Sequence, residues 1–377
     1  MLDTDRLQRI KIEEAKFDER QRQNSFDAIR LIAAFGVFYG HQLLLAGRSE
    51  TLVGPIGISS LSLFVFFALS GYLIYQSLVR HSTLRRYAQA RILRIWPAYI
   101  VNIMFCVGLG ATIGTLPVAE FLRSADTLKY VGINITVVVT PTQFILPGVL
   151  ENAPWRSING SVWTIKYEIL AYVTAFALYR LGGARYQHKL FVLFALLLVV
   201  NYILCVEVLG PWFPATVFGA DGQAFFAQYN YYNVSRFFLA FFFGAALSAS
   251  EPLTLRSRLI LLGLIVAMLV LFSGTELTRL GTILLLSLIV IEVGKTRLLW
   301  SSVYRRVGDL SYGFFLYAYP IQNYIWAYHS QGRDFHTLTF IVALLIFACA
   351  LMSWHVVEKP MLALKPRPQP QLATPAR

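Results

Sequence analysis

Long apolar runs separated by short charged stretches dominate the hydrophobic pattern of the chain. A helix needs about 20 mostly apolar residues to cross a hydrocarbon core of ~30 Å. None of the runs alternates like a strand, and an open sheet could not satisfy its backbone in lipid. The pattern therefore predicts an all-α polytopic integral membrane protein with about ten transmembrane helices, at residues 27–46, 59–79, 95–115, 161–181, 189–209, 233–250, 257–274, 277–294, 307–328 and 337–357.

The distribution of basic residues orients these helices. If the N-terminus is cytoplasmic, the predicted inside segments hold 24 of the 33 lysines and arginines, and the outside loops hold 6. An excess of Lys and Arg in the cytoplasmic loops is typical of membrane proteins. We therefore expect both termini in the cytoplasm and a multi-pass protein of the inner (plasma) membrane. The same placement explains the net charge of +13 without a nucleic-acid partner.

Composition narrows the class further. Hydrophobic residues make up 56% of the chain and charged residues 14%, which excludes both an ordinary soluble domain and a disordered chain. The three cysteines show no CxxC spacing, so neither a disulfide framework nor a metal site is expected. The predicted organisation is a charged cytosolic segment (1–25), a transmembrane domain (26–360) and a Pro-rich, disordered cytosolic tail (361–377) with no appended soluble domain.

The longest outside connection, residues 116–160, contains one semi-apolar stretch. That stretch, 131–150, is interrupted by Pro141, Pro147 and Gly148, so it does not suit a regular span. Irregular backbone at membrane depth is tolerated only where it is buried in protein or lines a cavity. We therefore predict a re-entrant or surface-lying segment next to a cavity.

The first predicted span carries two ionisable residues, Arg30 and His41. Eleven residues of helix turn through about three full turns, so both side chains face one side, roughly 16 Å apart along the axis. Arg30 is then near the cytosol and His41 near the outer side. Ionisable groups inside spans are functional candidates because their burial is costly. The alternative is an interfacial arginine that extends to the membrane surface and a structural histidine.

The fourth span carries Lys166 and Glu168 in its first two turns. Counted from the outer surface, Glu168 is about 10 Å deep, comparable to His41. A carboxylate beside an imidazole orients it and raises its basicity. Alternatively, Lys166 or Glu168 forms a structural ion pair with Arg236. Trp163, just before them, fits either an interfacial aromatic belt or a surface on which a sugar stacks.

Arg91 and Arg94 precede the third span at positions i and i+3, which places them on one face of a helix. Two guanidinium groups at the cytosolic mouth of a bundle suit bidentate phosphate binding. The alternative is that they only orient the helix by their positive charge.

The chain also resembles a known family, the membrane acyltransferase family 3, which includes O-antigen and other polysaccharide O-acetylases. Its first signature is an arginine followed eleven residues later by a histidine. Six elements in the family's order carry the resemblance: Phe26–Leu31 with His41, Phe66–Ile74, Arg91–Tyr99, Asn159–Glu168, Leu310–Pro320 and Val357–Pro360.

The resemblance implies an O-acyltransferase that takes an acyl group, commonly acetyl, from cytosolic acyl-CoA. The acceptor would be a hydroxyl of an extracytoplasmic or lipid-linked glycan, and no metal is implied. His41 would act as general base, with Glu168 orienting it or the acceptor. The remaining roles would be CoA binding by Arg30, Arg91 and Arg94, and substrate binding by Ser70, Trp163, Lys166 and Tyr312.

A transporter or exporter of a glycan or small anion is the alternative function. In it, His41, Lys166 and Glu168 would form a proton relay within the membrane. Transporters of this kind often show inverted repeats, and the sequence shows none.

Overall fold

The computed structural model describes residues 24–53, 56–81, 83–137, 142–204, 231–296 and 307–366. Nearly all of the predicted N-terminal segment (1–25) and most of the predicted tail (361–377) lie outside the described residues. Twelve helices are numbered in chain order: α1 Phe26–Leu45, α2 Ile58–Arg80, α3 Leu84–Ile113, α4 Val118–Arg123, α5 Ala125–Thr136, α6 Ile165–Ile203, α7 Tyr231–Ala249, α8 Leu255–Leu271, α9 Glu276–Lys295, α10 Ser311–His329, α11 Phe335–Ser353 and α12 Lys359–Ala363.

About 80% of the structure is helical and very little of the described chain is in strands, which confirms the all-α prediction. Its strands are β1 (Thr51–Val53) and β2 (Ile56–Gly57), which pair antiparallel between α1 and α2. A 3-10 turn, Val162–Thr164, precedes α6, and a π-helical turn, Trp354–Glu358, joins α11 to α12.

Six helices of the described chain are long and apolar enough to cross a membrane: Phe26–Leu45, Ile58–Arg80, Leu84–Ile113, Arg185–Ile203, Leu277–Lys295 and Phe335–Ala363. The protein is therefore a helical membrane protein. The ten apolar runs coincide with helices or parts of helices wherever the structure describes them.

The predicted connection between the runs 161–181 and 189–209 is a sharp turn at Gly183. That residue has φ 53° and ψ −164°, a conformation that glycine adopts without steric strain. A Cβ added to Gly182 would lie 2.5 Å from the Cα of Gln187, five residues on, which a continuous helix does not allow. The two parts of α6 are therefore two helices that fold back on each other, one for each run.

Helix α2 is the centre of the bundle and packs against α1, α7 and α9. Its contact with α7 is unusually close. A Cβ added to Gly71 would lie 1.8 Å from the carbonyl oxygen of Phe241, and one added to Gly244 would lie 2.2 Å from that of Ala68. Small residues let helix backbones approach each other in membranes, where packing rather than hydrophobic burial drives helix association.

The segment between α5 and α6 is irregular and only partly buried where the structure describes it. Residues 146, 149, 150 and 158 are buried, whereas most of 151–157 is exposed. Asn159 of the segment donates to the Asn102 side chain at 2.9 Å and to the Leu316 carbonyl at 3.1 Å. Asn323 of α10 donates to the carbonyls of Trp155 and Ser157, both at 2.8 Å. These hydrogen bonds hold the irregular backbone against α3 and α10, and its re-entrant or surface-lying placement stays a prediction.

We expect Gly71→Ala to destabilise the bundle, because the new methyl group would meet the α7 backbone. Overpacking of this kind costs typically about 1–3 kcal/mol. Thermal unfolding of the detergent-solubilised protein measures the loss. Gly108→Ala is the matched control, since a Cβ there meets nothing within 4 Å. Equal unfolding temperatures for the two variants would contradict the proposed close approach of α2 and α7.

Candidate active site

A cavity of about 380 Å³ opens between α1, α2, α3, α6 and α10. It is lined by charged groups toward one end and by apolar side chains toward the other. Of the nine site residues predicted from the sequence, six line it: Arg30, Ser70, Arg91, Arg94, Glu168 and Tyr312. The end where the arginines lie is called the basic end below.

The start of α1 fixes Arg30 in this cavity. The helix begins at Phe26, and the preceding Ser25 ties it to the end of α9 through two hydrogen bonds. The Ser25 backbone N–H donates to the Gly294 carbonyl at 2.8 Å, and its hydroxyl donates to the Thr296 carbonyl at 2.8 Å. Arg30 follows one turn later, with its guanidinium largely buried.

Asp309, which the sequence patterns did not single out, is the partner of two arginines. Its carboxylate accepts a short hydrogen bond from Arg94 Nη2 and lies 4.0 Å from Arg30 Nη1. Arg30 is also 3.9 Å from Asp27. Asp309 is fixed in turn by Ser311, whose hydroxyl donates to it at 2.6 Å. The only sequence signal was its place beside Leu310–Pro320, within a predicted span.

Arg91 lies on the same side of α3 as Arg94, as the i, i+3 spacing predicted. Its Nη2 donates to the Ser77 hydroxyl at 3.4 Å, and its guanidinium carbon is 5.7 Å from the Tyr172 ring centroid. Its Nε is buried and has no hydrogen-bond partner among the described residues. Arg91 therefore has hydrogen-bonding capacity that a bound group could use.

Glu168 lies in the cavity, beside Ser70 and Tyr172. Its carboxylate accepts a hydrogen bond from the Ser70 hydroxyl at 3.2 Å and a short one from the Tyr172 hydroxyl. Tyr312, across the cavity on α10, donates to the Ile95 carbonyl at 3.0 Å. These hydrogen bonds connect α2 to α6 and α10 to α3 around the cavity.

The depth predicted for Glu168 is wrong. Helices α1 and α2 run antiparallel: Phe26 stacks near Tyr72 with ring centroids 5.4 Å apart, and Gly40 packs on Ser59. Ser70, the partner of Glu168, is therefore level with the first turn of α1, Phe26–Ile29. Twelve to fifteen residues of helix separate that turn from His41, a rise of roughly 18–22 Å. Glu168 lies at the basic end and not beside the imidazole.

His41 lies outside the lining of the cavity, in contact with α10. Its ring meets the Tyr319 ring edge-on, with centroids 5.2 Å apart at 88°. Its Nδ1 is buried without a hydrogen-bond partner among the described residues. Tyr319 in turn packs on Gly160, where an added Cβ would lie 2.6 Å from the ring. Tyr319 therefore contacts both the imidazole and the segment that precedes α6.

Lys166 and Trp163 also lie outside the cavity lining. Lys166 is 1% exposed, and its ammonium is 5.4 Å from the Tyr167 ring centroid. The half-buried Trp163 ring meets Tyr167 edge-on at 5.6 Å and tilts against Phe237 at 5.7 Å. The members of the relay postulated for a transporter thus have different surroundings, since His41 contacts Tyr319 and Glu168 bonds Ser70. This arrangement does not favour the transporter alternative.

A metal centre is not apparent in the described parts of the chain, where no group of three or more His, Cys, Asp or Glu could hold a metal ion. Cys106 and Cys349 are free thiols there.

The fold and the cavity define a membrane-embedded protein with a cationic, partly apolar chamber reached from one end of a helical bundle. A family model described as an acyltransferase domain matches residues 23–356. The chain therefore belongs to acyltransferase family 3, which confirms the resemblance seen in the six sequence elements.

Two curated relatives agree with this assignment. The chain is 25% identical to an O-acetyl transferase of Shigella phage Sf6, over 93% of this chain and 99% of the relative. It is 34% identical to Nodulation protein 10 of Rhizobium leguminosarum bv. viciae, over 22% of this chain and 23% of that protein. No solved structure matches the chain. Family and relatives together make the protein a membrane O-acetyltransferase.

We expect Asp309 and Arg94 to be strongly coupled. Removing one partner of a buried ion pair leaves an uncompensated charge and costs typically about 3–5 kcal/mol, more than removing both. Asp309→Asn and Arg94→Gln should therefore each lower the unfolding temperature. The loss in the double variant should be smaller than the sum of the two single losses. A thermal double-mutant cycle measures this coupling. Additive effects would contradict it, and Asp126→Asn serves as an exposed-carboxylate control.

Proposed function

We propose that the protein transfers an acyl group, principally acetyl, from cytosolic acyl-CoA to a hydroxyl of an extracytoplasmic or lipid-linked glycan. The enzyme would lie in the inner membrane with its basic end in the cytosol. One observation carries the proposal: the cavity has arginines at one end and apolar side chains at the end nearer to His41. A donor with a charged head and an uncharged reactive end fits such a space.

The basic end supports binding of the CoA phosphates. Arg91, with its unpartnered Nε, presents a forked guanidinium donor that matches phosphate oxygens bidentately, and Arg30 and Arg94, both close to Asp309, add positive charge beside it. Glu168 contributes indirectly in this proposal. It binds the Tyr172 hydroxyl, and the Tyr172 ring lies against Arg91, so the carboxylate positions the ring that supports the guanidinium.

The inner end of the cavity supports a small apolar acyl group. Leu63, Phe66 and Phe315 line it, and the last two rings are 6.1 Å apart. Because Gly36 of α1 packs on Ser62, this end is level with Gly36. His41 is five residues further along α1, roughly 7–8 Å in rise. The acyl group would thus arrive within one and a half turns of the imidazole.

His41 would act as general base on the acceptor. The acceptor hydroxyl attacks the thioester carbonyl while the imidazole takes its proton, and the C–S bond then breaks. The proton passes from the imidazolium to the departing CoA thiolate, so ester and free CoA thiol are the products. His41 Nδ1 has no partner among the described residues, which leaves it available to such a hydroxyl. Trp163 and Lys166 are proposed to contact the acceptor, and Ser70 and Tyr312 the donor.

Replacement of His41 tests the base directly. We expect His41→Gln to lower kcat by about 10²–10⁴-fold, the usual contribution of a general base. The KM for acetyl-CoA should stay near the wild-type value, because His41 does not line the donor cavity. His329→Gln, a change at an exposed histidine bonded to Tyr324, is the control. A His41→Gln enzyme with full kcat would refute the assignment.

Inverted membrane vesicles supplied with labelled acetyl-CoA provide the assay and separate the two functions. Incorporation of label into glycan supports acyl transfer. Movement of glycan or anion across the vesicle membrane with no label incorporated would support the transporter instead.

The apolar end of the cavity should limit the length of the acyl group. We expect Phe66→Ala to raise kcat/KM for butyryl-CoA relative to acetyl-CoA by about tenfold or more, since each methylene in an apolar pocket is worth roughly 1–3 kcal/mol. Phe105→Ala, which removes a ring that packs on Tyr317 outside the cavity, should leave the ratio unchanged. An unaltered ratio in Phe66→Ala would show that the acyl group lies elsewhere.

A further inference from the structure

Two basic residues at the mouth of the cavity come from parts of the sequence that no motif singled out. His81 lies in the turn between α2 and α3, and Lys365 lies two residues after α12 ends. Both line the cavity together with Arg91 of α3. The packing thus brings Lys365, from near the end of the chain, to the same opening as His81 and Arg91.

The charges of the cavity fall into two groups. Deeper in, Arg94 and Arg30 face the carboxylates of Asp309 and Asp27. The third lining carboxylate, Glu168, is hydrogen bonded to Ser70 and Tyr172. Among the described lining residues, no further carboxylate accompanies the basic groups at the mouth. Positive charge is therefore neutralised inside the cavity and in excess at its opening.

The polar atoms at the mouth are also short of partners. His81 Nδ1 and Arg91 Nε are both buried with no hydrogen-bond partner among the described residues. Most buried polar atoms in proteins are hydrogen bonded, so two unpartnered polar atoms on residues that line one cavity indicate a missing partner. Burial, together with the nearby Arg94 and Arg91, lowers the pKa of Lys365 to about 7. Burial and the neighbouring Arg80 and Arg91 lower the pKa of His81. A bound anion would relieve this mutual repulsion.

We propose that His81, Arg91 and Lys365 form the site for the phosphate groups of the CoA donor, and that the Arg94–Asp309 pair holds the cavity together without binding those phosphates itself. The inference rests on the proposed function and refines it. His81 and Lys365, which lie outside the six family elements, would contact the phosphates directly. Arg94 would not, because its guanidinium is already paired with Asp309.

The geometry fits a donor with a long uncharged arm. Ser77, which bonds Arg91, marks the level of the mouth on α2, and Phe66 marks the inner end. The eleven residues between them rise by about 16 Å. Phosphates bound at the mouth would therefore leave an extended pantetheine arm to span the cavity and present the thioester at the apolar end.

Two donors that differ only in their phosphates test the site in the full-length enzyme. Acetyl-CoA carries the nucleotide phosphates, and S-acetylpantetheine carries the same arm and thioester without them. We expect Lys365→Gln and His81→Gln each to raise the KM for acetyl-CoA by about tenfold, the loss of one charge-assisted contact, with kcat retained. Both kinetic constants for S-acetylpantetheine should stay at wild-type values. Lys359→Gln and His355→Gln, at exposed positions nearby in sequence, should behave as wild type with both donors.

Two outcomes would overturn the site. If the variants impair both donors equally, the residues act through the fold and not on phosphate. If they impair neither donor, the phosphates bind elsewhere. Titration of the purified proteins with CoA separates this failure from that of the proposed function. A wild-type protein that binds CoA more tightly than Lys365→Gln yet transfers no acetyl group would refute the proposed transfer and support the site.

Discussion

The buried pairing of Asp309 with Arg94 and Arg30 is the interaction on which the cavity depends. Charged groups within a membrane-spanning bundle are costly unless they are paired or reach water. Asp309 allows two guanidinium groups from α1 and α3 to approach each other, and Ser311 fixes the carboxylate at the start of α10. Three helices are thereby joined at one point. Without that carboxylate, the two arginines would repel each other across the space that the donor is proposed to occupy.

The second constraint is the length of α1. A straight helix keeps Arg30 and His41 on one face and roughly 16 Å apart, so one element sets the distance between the basic end and the imidazole. Its close packing on α2, with Gly36 against Ser62 and Gly40 against Ser59, prevents it from sliding. Gly71 and Gly244 lock α2 to α7 in the same way. The spacing of the two functional ends is therefore a property of the bundle's core and not of flexible loops.

Local patterns predicted much of this arrangement. Hydrophobic run length located the helices, and helical periodicity correctly put Arg91 and Arg94 on one side of α3. Predictions that needed the depth of a residue were less accurate. The position of Glu168 was counted from a presumed membrane surface near residue 161, whereas residues 158–164, just before α6, are mostly buried, with Ile158 0% exposed. The helix thus starts inside the protein, and Glu168 reaches further toward the basic end.

Residues that act only through tertiary contact could not be found from the sequence. Asp309 appears there as a single carboxylate at the edge of an apolar run, and Lys365 as one lysine in a Pro-rich tail. Neither has a spacing that marks it. Their importance follows from which groups they face, which the packing of α10 and α12 against α3 decides.

The apolar inner end of the cavity separates the basic end from His41, and the proposed reaction requires that separation. A path that joined the basic end to His41 continuously would let water reach the thioester and let ions cross the bilayer. Leu63, Phe66 and Phe315 lie between the two, and their side chains offer neither hydrogen bonds nor charge to a permeating ion. In the proposed binding mode, an acyl group would displace these side chains because it is itself apolar, and the phosphates at the other end of the donor would stay at the mouth. The same aromatic pair would thus serve as a seal when the cavity is empty and as the acyl-binding surface when the donor is bound.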